Sequence, residues 1–302
     1  MTGDRAVGND RDGDNPSWQT VLVDVHTQVN RDFWDEVTPH HAGSDFYDLN
    51  GFVDDPDSLG AIELAEIGDV AGRTICHLQC HIGLDSLSLA RRDAIVTGVD
   101  FSAASVDVAR SLSERTGIAA TFVEADATHA ADALDAEFDI VFTTRGVLMW
   151  IGDLRAWAAS CEKLLRPGGF LYLLDIHPFG MIIEQQGTGL ALTGNYFGDR
   201  DPSITVKDAS YAVSDVGLTN QETHEWIHSV GNVVSALADA GLVIEFLHEH
   251  PSDDHVPTTL SADDDPADPA SASGPPAESI AGLRPGVPQL PALYSIRAGK
   301  PS

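Results

Sequence analysis

The stretch TICHLQCHIGLDSLSLARRDAIVTGVD, residues 74–100, decides the fold of this chain. Its first five residues are mostly apolar and too few for a helix, so they predict a buried strand. After Gly83, the spacing of Leu84, Leu87 and Ala90 predicts a helix, and residues 95–99 predict a second strand. A strand, a tight turn, a helix and a second parallel strand form one crossover unit of a doubly wound α/β fold.

The turn and the acid that ends the second strand indicate a ligand site. Residues 79–83 must reverse the chain sharply, which leaves the first backbone N–H groups of the helix free to hold a ligand. Asp100 stands at the carboxyl end of the second strand, where a carboxylate can accept hydrogen bonds from both hydroxyls of a ribose. Residues 74–100 therefore predict a ligand that carries a ribose.

The glycine pattern of the turn separates two classes of such ligands. A dinucleotide needs G-x-G-x-x-G for its pyrophosphate, and this turn contains only Gly83, which argues against NAD. The stretch resembles instead the first motif of class I S-adenosylmethionine-dependent methyltransferases, an acid followed by G-x-G-x-G. With Gly83 as the last glycine, His77 stands at the acid position, and Gln79 and His81 stand at the first two glycine positions. The string LQCHIG also resembles one methyltransferase subgroup.

Later segments extend the resemblance over roughly residues 70–180. The strings EADAT at 124–128, FDIVFTTRGVLMWI at 138–151 and LLRPGGFLYLLD at 164–175 resemble successive parts of the same domain. The resemblance implies a doubly wound, mostly parallel seven-stranded sheet, S-adenosylmethionine as cofactor, and methyl transfer to a small-molecule acceptor. It also implies a set of cofactor-binding residues, namely His77, Gln79, Cys80, Gly83, Asp100, Phe101, Asp126, Ala127 and Thr144. Asp126 has a second interpretation, as a helix N-cap or turn residue.

Hydrophobic periodicity predicts the remaining core elements. Ser102 caps a helix that runs to about Arg115 and stops at Gly117. The other strands are predicted at 121–124, 138–144, 170–174, 242–247 and 293–296, and the other helices at 154–165 and 226–240. Residues 166–169, RPGG, are predicted to form the turn between the helix before them and the strand after them.

Two regions precede this core. Residues 1–16 have little to bury and predict a disordered leader, and residues 17–69 predict a helical lid and lead-in to a domain spanning 70–302. In the lid, a helix at 30–37 is followed by a polar turn at 38–41. Trp34 and Tyr47 can cover the cofactor or simply pack on the core.

Two later interruptions are predicted within the domain. Residues 180–225, with Tyr196, Phe197 and Tyr211, form either a substrate cap or a surface insertion. Residues 251–290 are rich in Asp, Pro, Ala and Ser and predict a disordered acidic loop.

Composition limits the partners and the environment. Seventeen Lys and Arg against 47 Asp and Glu give a net charge of −30, which argues against binding nucleic acid or anionic membranes and indicates a salt-adapted, halophilic protein. The chain lacks an apolar signal core and any run of ~20 apolar residues, and its three cysteines suit a reducing cytoplasm. The oligomeric state stays open.

Two clusters of reactive residues need separate interpretation. Cys76, His77, Cys80 and His81 include zinc-binding types, but strand neighbours point to opposite faces, so we expect no metal here. His177 follows the strand 170–174 and is the candidate catalytic base, with a structured turn residue before Pro178 as the alternative. Arg145 is a weaker candidate at the same sheet edge. The rival for the whole chain is a catalytically silent binding or regulatory protein with the same fold.

Overall fold

The chain forms one seven-stranded sheet with helices on both faces, seen in a computed structural model that describes residues 17–55, 57–186, 189–214, 216–251 and 290–302. The helices are α1 Ser17–Ala42, α2 Leu49–Asp54, α3 Ala61–Ile67, α4 Leu84–Ala90, α5 Ala103–Thr116, α6 Ala130–Ala133, α7 Leu154–Leu164 and α8 Val230–Asp239. The strands are β1 Thr74–Leu78, β2 Ile95–Asp100, β3 Thr121–Glu124, β4 Phe138–Thr144, β5 Leu165–Ile176, β6 Ile183–Gln186, β7 Gly189–Leu192, β8 Ser203–Val206, β9 Glu222–Glu225, β10 Val243–Pro251 and β11 Pro291–Gly299.

The strand order of the main sheet is β10-β11-β5-β4-β1-β2-β3. Strands β1 to β5 pair in parallel, and β11 enters antiparallel between β5 and β10. Because both β5 and β10 run opposite to β11, they run parallel to each other. The predicted doubly wound, mostly parallel seven-stranded sheet is confirmed, and the carboxyl ends of β1, β2, β4 and β5 meet at one edge.

The central strand β4 shows why the sheet is covered on both faces. All seven of its residues are buried, as expected for a parallel strand between two helical layers. Val141 packs in the cluster that contains Trp157 of α7 and Leu237 of α8. Ile140 and Phe142 pack in the opposite cluster with Ile67 of α3 and Leu89 of α4.

The predicted turn at 38–41 is wrong, because α1 continues through Pro39 to Ala42. Thr38 and His41 are fully buried, and each contacts a distant serine: Thr38 Oγ1 lies 2.9 Å from Ser105 Oγ, and His41 Nε2 lies 2.6 Å from Ser210 Oγ. Proline removes one helical hydrogen bond and crowds the preceding turn. The tertiary contacts of Thr38 and His41 hold the last turn of α1 in spite of that loss.

Two other local predictions also need correction. Residues 166–169 belong to β5, because the Gly168 N–H donates to the Lys300 carbonyl and the Lys300 N–H donates to the Gly169 carbonyl. Helix α8 begins at Val230 rather than at 226, with Ser229 as its N-cap, because the Trp226 N–H donates to the Met149 carbonyl outside the helix. In both places a long-range backbone pairing overrides the local pattern.

Residues 183–225 contain two hairpins, one of β6 with β7 and one of β8 with β9. The leader predicted for 1–16 lies outside the described residues, as does the loop predicted for 251–290 except at its two ends. No helix in the described part of the chain has the length and apolarity that a membrane crossing requires.

Candidate active site at the carboxyl edge of the sheet

The turn after β1 has an unusual backbone. Gln79, His81 and Gly83 all have positive φ, at 56°, 47° and 82°. This left-handed region disfavours residues with a Cβ, and glycine occupies it freely. The three alternate positions at which the methyltransferase motif carries glycine therefore keep a glycine-like backbone here, although two of them carry large side chains.

Gly83 is also required by close packing. A Cβ at this position would lie 2.8 Å from the Ala109 Cβ and 2.9 Å from the Phe122 ring. Gly83 is the N-cap of α4, and α4 can approach α5 and β3 this closely only because no side chain separates them.

Asp100 ties this turn to the next helix. Its Oδ2 accepts the His81 N–H at 2.8 Å, and its Oδ1 accepts the Ser102 N–H at 2.9 Å. The carboxyl group is buried, and burial raises the pKa of Asp100 to about 6 although the backbone hydrogen bonds from Ser102 and His81 lower it. The carboxylate therefore sits between the β1 turn and the start of α5.

The side chains of His77, Gln79 and Cys80, in β1 and the turn after it, are each held by different contacts. The His77 ring contacts Ser86 through Nδ1 at 2.8 Å and packs edge-on against Phe142, and burial lowers the pKa of His77 to about 4. Gln79 donates from Nε2 to the Val147 carbonyl at 2.8 Å, while its buried Oε1 has no hydrogen-bond partner in the described part of the chain. Burial raises the pKa of the Cys80 thiol well above its usual range.

The other sequence-predicted cofactor residues lie at neighbouring strand ends. Asp126 accepts the Thr128 N–H at 2.7 Å and caps a short 3-10 helix that begins at Ala127. The contact expected of an N-cap residue is therefore present. Thr144 donates to Asp85 at 3.0 Å, in the first turn of α4. Phe101 packs partly buried against the cluster of α1 that contains Trp34.

Five aromatic side chains, which we call the aromatic cluster, meet over the β1 turn: Trp34, His41, Tyr47, His81 and Tyr211. The His81 ring stacks on Tyr47 with centroids 5.4 Å apart and meets Trp34 edge-on at 5.2 Å. The Tyr47 and Tyr211 hydroxyls lie 2.6 Å apart, and the His41 ring lies 5.0 Å from that of Tyr211. The cluster therefore joins the N-terminal segment to the 180–225 insertion.

Two imidazole nitrogens in the aromatic cluster are buried without hydrogen-bond partners among the residues that the structure describes, namely His41 Nδ1 and His81 Nε2. Burial lowers the pKa of His41 to about 4 and that of His81 to about 3, so both rings are neutral at pH 7. Sequence reasoning missed His41, because it assigned residue 41 to a surface turn. The continuation of a helical pattern past Pro39 was the signal that could have placed it inside.

His177, the base predicted from sequence, lies after β5 with both ring nitrogens beside partners. Nδ1 accepts the Phe179 N–H at 3.1 Å, and Nε2 lies 3.0 Å from Glu249 Oε1. Burial lowers the pKa of His177, while the Glu249 carboxylate opposes this shift. An Nδ1 that accepts must leave the proton on Nε2, which faces Glu249 but makes no hydrogen bond of regular geometry within the described residues.

Asp175 and Arg145 lie at the same sheet edge as His177 and make contacts that hold the loop after β4. Asp175 accepts the N–H groups of residues 146, 147 and 148, at 2.5, 3.2 and 3.0 Å, which fixes the loop after β4. Arg145, the weaker candidate, forms an ion pair with the buried Glu63 at 2.8 Å.

The central segment of the chain is similar in sequence to known methyltransferases. Residues 75–169 match a family model described as a methyltransferase domain. A ubiquinone biosynthesis O-methyltransferase of Pseudomonas paraeruginosa is 31% identical over 112 residues, which are 37% of this chain and 48% of that protein. The chain thus spans about half the length of the curated relatives that it matches first.

Solved structures agree in fold. An S-adenosylmethionine-dependent methyltransferase from Mesorhizobium loti superposes with a TM-score of 0.54 at 20% identity, over 83% of this chain and all of that one. A [4+2]-cyclase, SpnF, superposes with a TM-score of 0.51 at 17% identity, over 91% of this chain and 96% of that one. At these identities the likeness shows the fold alone, and the subgroup resemblance of LQCHIG stays a prediction. Residues 75–169 are thus similar to a methyltransferase domain in sequence, and the strand order and the solved structures agree with the fold that the resemblance to class I S-adenosylmethionine-dependent methyltransferases implies.

Proposed function

We propose that this protein transfers a methyl group from S-adenosylmethionine to a small-molecule acceptor. One observation carries the proposal: the left-handed turn at 79–83 is hydrogen-bonded to Asp100 at the carboxyl edge of the sheet, in a domain of the methyltransferase family. Ligands of open α/β sheets bind at this edge.

The residues at the edge fit the nucleoside part of the cofactor. Asp100 accepts the backbone N–H groups of His81 and Ser102, and the Phe101 N–H also contributes, so of the about four acceptor sites of a carboxylate at least one remains for a ribose hydroxyl. We propose that Phe101, Asp126, Ala127 and Thr144 line the adenine side, as the family resemblance implies. The sulfonium of the bound cofactor supplies the methyl group, and the protein supplies binding and alignment.

The methionine part of the cofactor meets a variant surface. His77 replaces the acid that the family motif places near the cofactor's amino group, and we propose that Gln79 takes over this contact. Its buried Oε1 has no partner, while its Nε2 is held by the Val147 carbonyl. An amide oxygen held in this way can accept a hydrogen bond from an ammonium group. Cys80 and Gly83 would contribute backbone contacts only.

The aromatic cluster supports a site for the acceptor. Trp34, His41 and Tyr47 come from the N-terminal lid, and Tyr211 comes from the insertion, so lid and cap meet directly above the turn. We propose that this cluster binds an acceptor with an apolar or aromatic body, since ring faces offer large apolar area at fixed geometry.

The proton released from the acceptor needs a base, and two histidines compete for that role. His177 remains a proposal from the sequence, although its Nδ1 accepts the Phe179 N–H and its Nε2 faces Glu249. His41 Nδ1 and His177 Nε2 are both buried without a hydrogen-bond partner among the described residues, but His41 lies inside the aromatic cluster, where the acceptor is proposed to bind. We therefore propose His41 as the stronger candidate, to be tested by comparing His41→Gln with His177→Gln for kcat at saturating acceptor.

The deciding experiment combines binding with turnover. S-adenosylmethionine is titrated calorimetrically into the protein at high salt, and S-adenosylhomocysteine release is then followed with phenols as the first acceptors, because the curated relatives are named O-methyltransferases. Binding with product release supports the proposal. Binding without release across phenols, amines and carboxylates favours the catalytically silent rival, and no binding overturns the proposal.

We propose a cytoplasmic setting and no nucleic-acid partner. The described cysteines Cys76, Cys80 and Cys161 are free and buried, which suits a reducing compartment. The net charge of −30 repels polyanions and supports adaptation to high salt.

A further inference from the structure

Two histidines and a glutamate meet on the sheet face that α3 covers, near the edge formed by β10. His248 and His250 alternate along β10 and so share one face of the sheet. Strand β11 brings Ser295 opposite His248, and β5 brings Leu174 opposite Ser295. Helix α3 crosses this face and places Glu66 against the histidines.

The three side chains converge on a single carboxylate oxygen. Glu66 Oε1 lies 2.7 Å from His248 Nδ1 and 3.6 Å from His250 Nε2. One ligand-type atom from each residue lies within 4.8 Å of the other two. Glu66 and His250 are largely buried, while the His248 side chain is 51% exposed.

These separations are close to those of a tetrahedral zinc site. With zinc–ligand distances of about 2.0–2.1 Å, two ligand atoms in such a site lie about 3.4 Å apart. The Glu66–His250 separation already has this size. The Glu66–His248 pair has the length of a hydrogen bond and must open by less than about 1 Å, which the exposed His248 ring is free to do.

A hydrogen bond to its second oxygen also orients the Glu66 carboxylate. The Tyr172 hydroxyl donates to Glu66 Oε2 at 2.9 Å, which turns Oε1 toward the two imidazoles. Partners of this kind fix metal ligands in place and are part of a functional site. The strongly negative chain adds a general attraction for divalent cations.

We propose that Glu66, His248 and His250 bind a zinc ion, with water in the fourth position. Two imidazoles and one carboxylate form a ligand set that zinc accepts, and water commonly completes the tetrahedron. The ion would clamp α3 to the edge strand β10. Helix α3 also carries Glu63, the partner of Arg145 after β4, so the clamp would stabilise the support of that loop.

The test uses the full chain, freed of metal by dialysis against a chelator, with zinc chloride as the probe. We expect saturable binding of one zinc ion per chain and a higher Tm, and both should be lost in the double variant His248→Gln with His250→Gln. His40→Gln is the matched control, because His40 is an exposed histidine on α1. Circular dichroism verifies that each variant is folded.

Two further measurements keep the result interpretable. Tyr172→Phe removes only the hydroxyl behind Glu66 and should weaken zinc binding by about 10- to 100-fold. Cobalt(II) bound in place of zinc should show the visible absorption of a tetrahedral site in the parent and lose it in Glu66→Gln. Absence of saturable binding in the parent, or equal stoichiometry and affinity in the double variant, would overturn the proposal.

Discussion

The two sides of the proposed binding site are assembled in different ways. The centre of the cofactor side is the turn at 79–83 with Asp100, and these residues come from one contiguous stretch. The acceptor side is the aromatic cluster, which collects His41 and Tyr47 from the N-terminal segment and Tyr211 from the insertion. A site on neighbouring strand ends follows from local pattern, whereas a site between a helix and an insertion depends on tertiary contacts.

His81 belongs to both sides. Its backbone N–H donates to Asp100, and its ring packs against Tyr47. At residue 81 the backbone therefore serves the cofactor side and the side chain serves the acceptor side. Substitutions that reach only one side should consequently separate the two.

Salt should have the largest effect, and it should act on both sides together. With 47 acids against 17 bases, repulsion opposes folding until the Debye length falls from about 30 Å at 0.01 M to about 3 Å at 1 M. We expect cooperative melting, followed by circular dichroism, to disappear in dilute buffer. Unchanged melting there would contradict the salt-adapted interpretation, and loss of one side before the other would show that the two sides unfold separately.

Gly83→Ala should be the most damaging single substitution on the cofactor side. The new Cβ would crowd Ala109 and Phe122 and hold a left-handed φ, which together predict a loss of about 3 kcal/mol in unfolding free energy. Gly117→Ala is the matched control, because Gly117 has φ +69 and open space around it, so only about 1 kcal/mol should be lost. Urea unfolding at high salt measures both, and equal losses would contradict the packing argument.

Asp100→Ala should weaken S-adenosylmethionine binding at least tenfold. Each hydrogen bond to the charged carboxylate contributes about 1.5–3 kcal/mol, and a tenfold change corresponds to about 1.4 kcal/mol. His81→Gly should change the affinity less, because it restores the family's usual residue and keeps the backbone N–H. Calorimetric titration compares the three proteins, and an Asp100→Ala variant that binds as well as the parent would remove the cofactor assignment.

Acid should weaken cofactor binding through the same carboxylate. Burial raises the pKa of Asp100 to about 6, so the free protein binds a proton there at a higher pH than an ordinary aspartate does. Its contribution to folding stability is complete below the ordinary pKa and is lost as pH rises through about 6, whereas ribose binding needs the charged form. Affinity should therefore fall below pH 6 in the parent and stay flat in Asp100→Asn, and a flat parent profile would contradict this.

Tyr211→Phe should give the smallest effect and confine it to the acceptor side. The variant loses the hydroxyl contact with Tyr47, a loss of about 0.5–1.5 kcal/mol, so the acceptor KM should rise roughly two- to tenfold with cofactor affinity unchanged. Phe197→Leu is the control, since Phe197 lies in the same insertion and is 74% exposed. A parallel loss of cofactor affinity in Tyr211→Phe would show that the two sides are coupled.

The strands show how far the sequence alone reaches. β1, β3 and β4 were predicted to the residue, because short apolar runs bounded by turn residues have few alternatives in a buried parallel sheet. The turn predicted at 38–41 was wrong because the burial of Thr38 and His41 depends on Ser105 and Ser210, far along the chain. No local window contains that information.

Side-chain positions in the site were less predictable than the strands that carry them. The sequence placed Asp100 at a strand end, but its bond to the His81 N–H depends on the conformation of the turn. The sequence analysis considered a metal site only among residues close together in the chain, Cys76, His77, Cys80 and His81, and expected none there. The proposed zinc ligands Glu66 and His248 lie 182 positions apart, so only the pairing of β10 with β11 and the packing of α3 bring them together.

The antiparallel entry of β11 has a consequence for engineering. Strand β10 ends at Pro251 and β11 begins at Pro291, and these two prolines are register partners, so the chain leaves and re-enters the sheet at adjacent points. For a flexible linker inserted between two fixed points, the entropy of closure grows only slowly with length, by about 0.6 kcal/mol per doubling. The junction between Pro251 and Pro291 is therefore a suitable place to splice in a reporter domain or an affinity tag, at the sheet corner opposite β3.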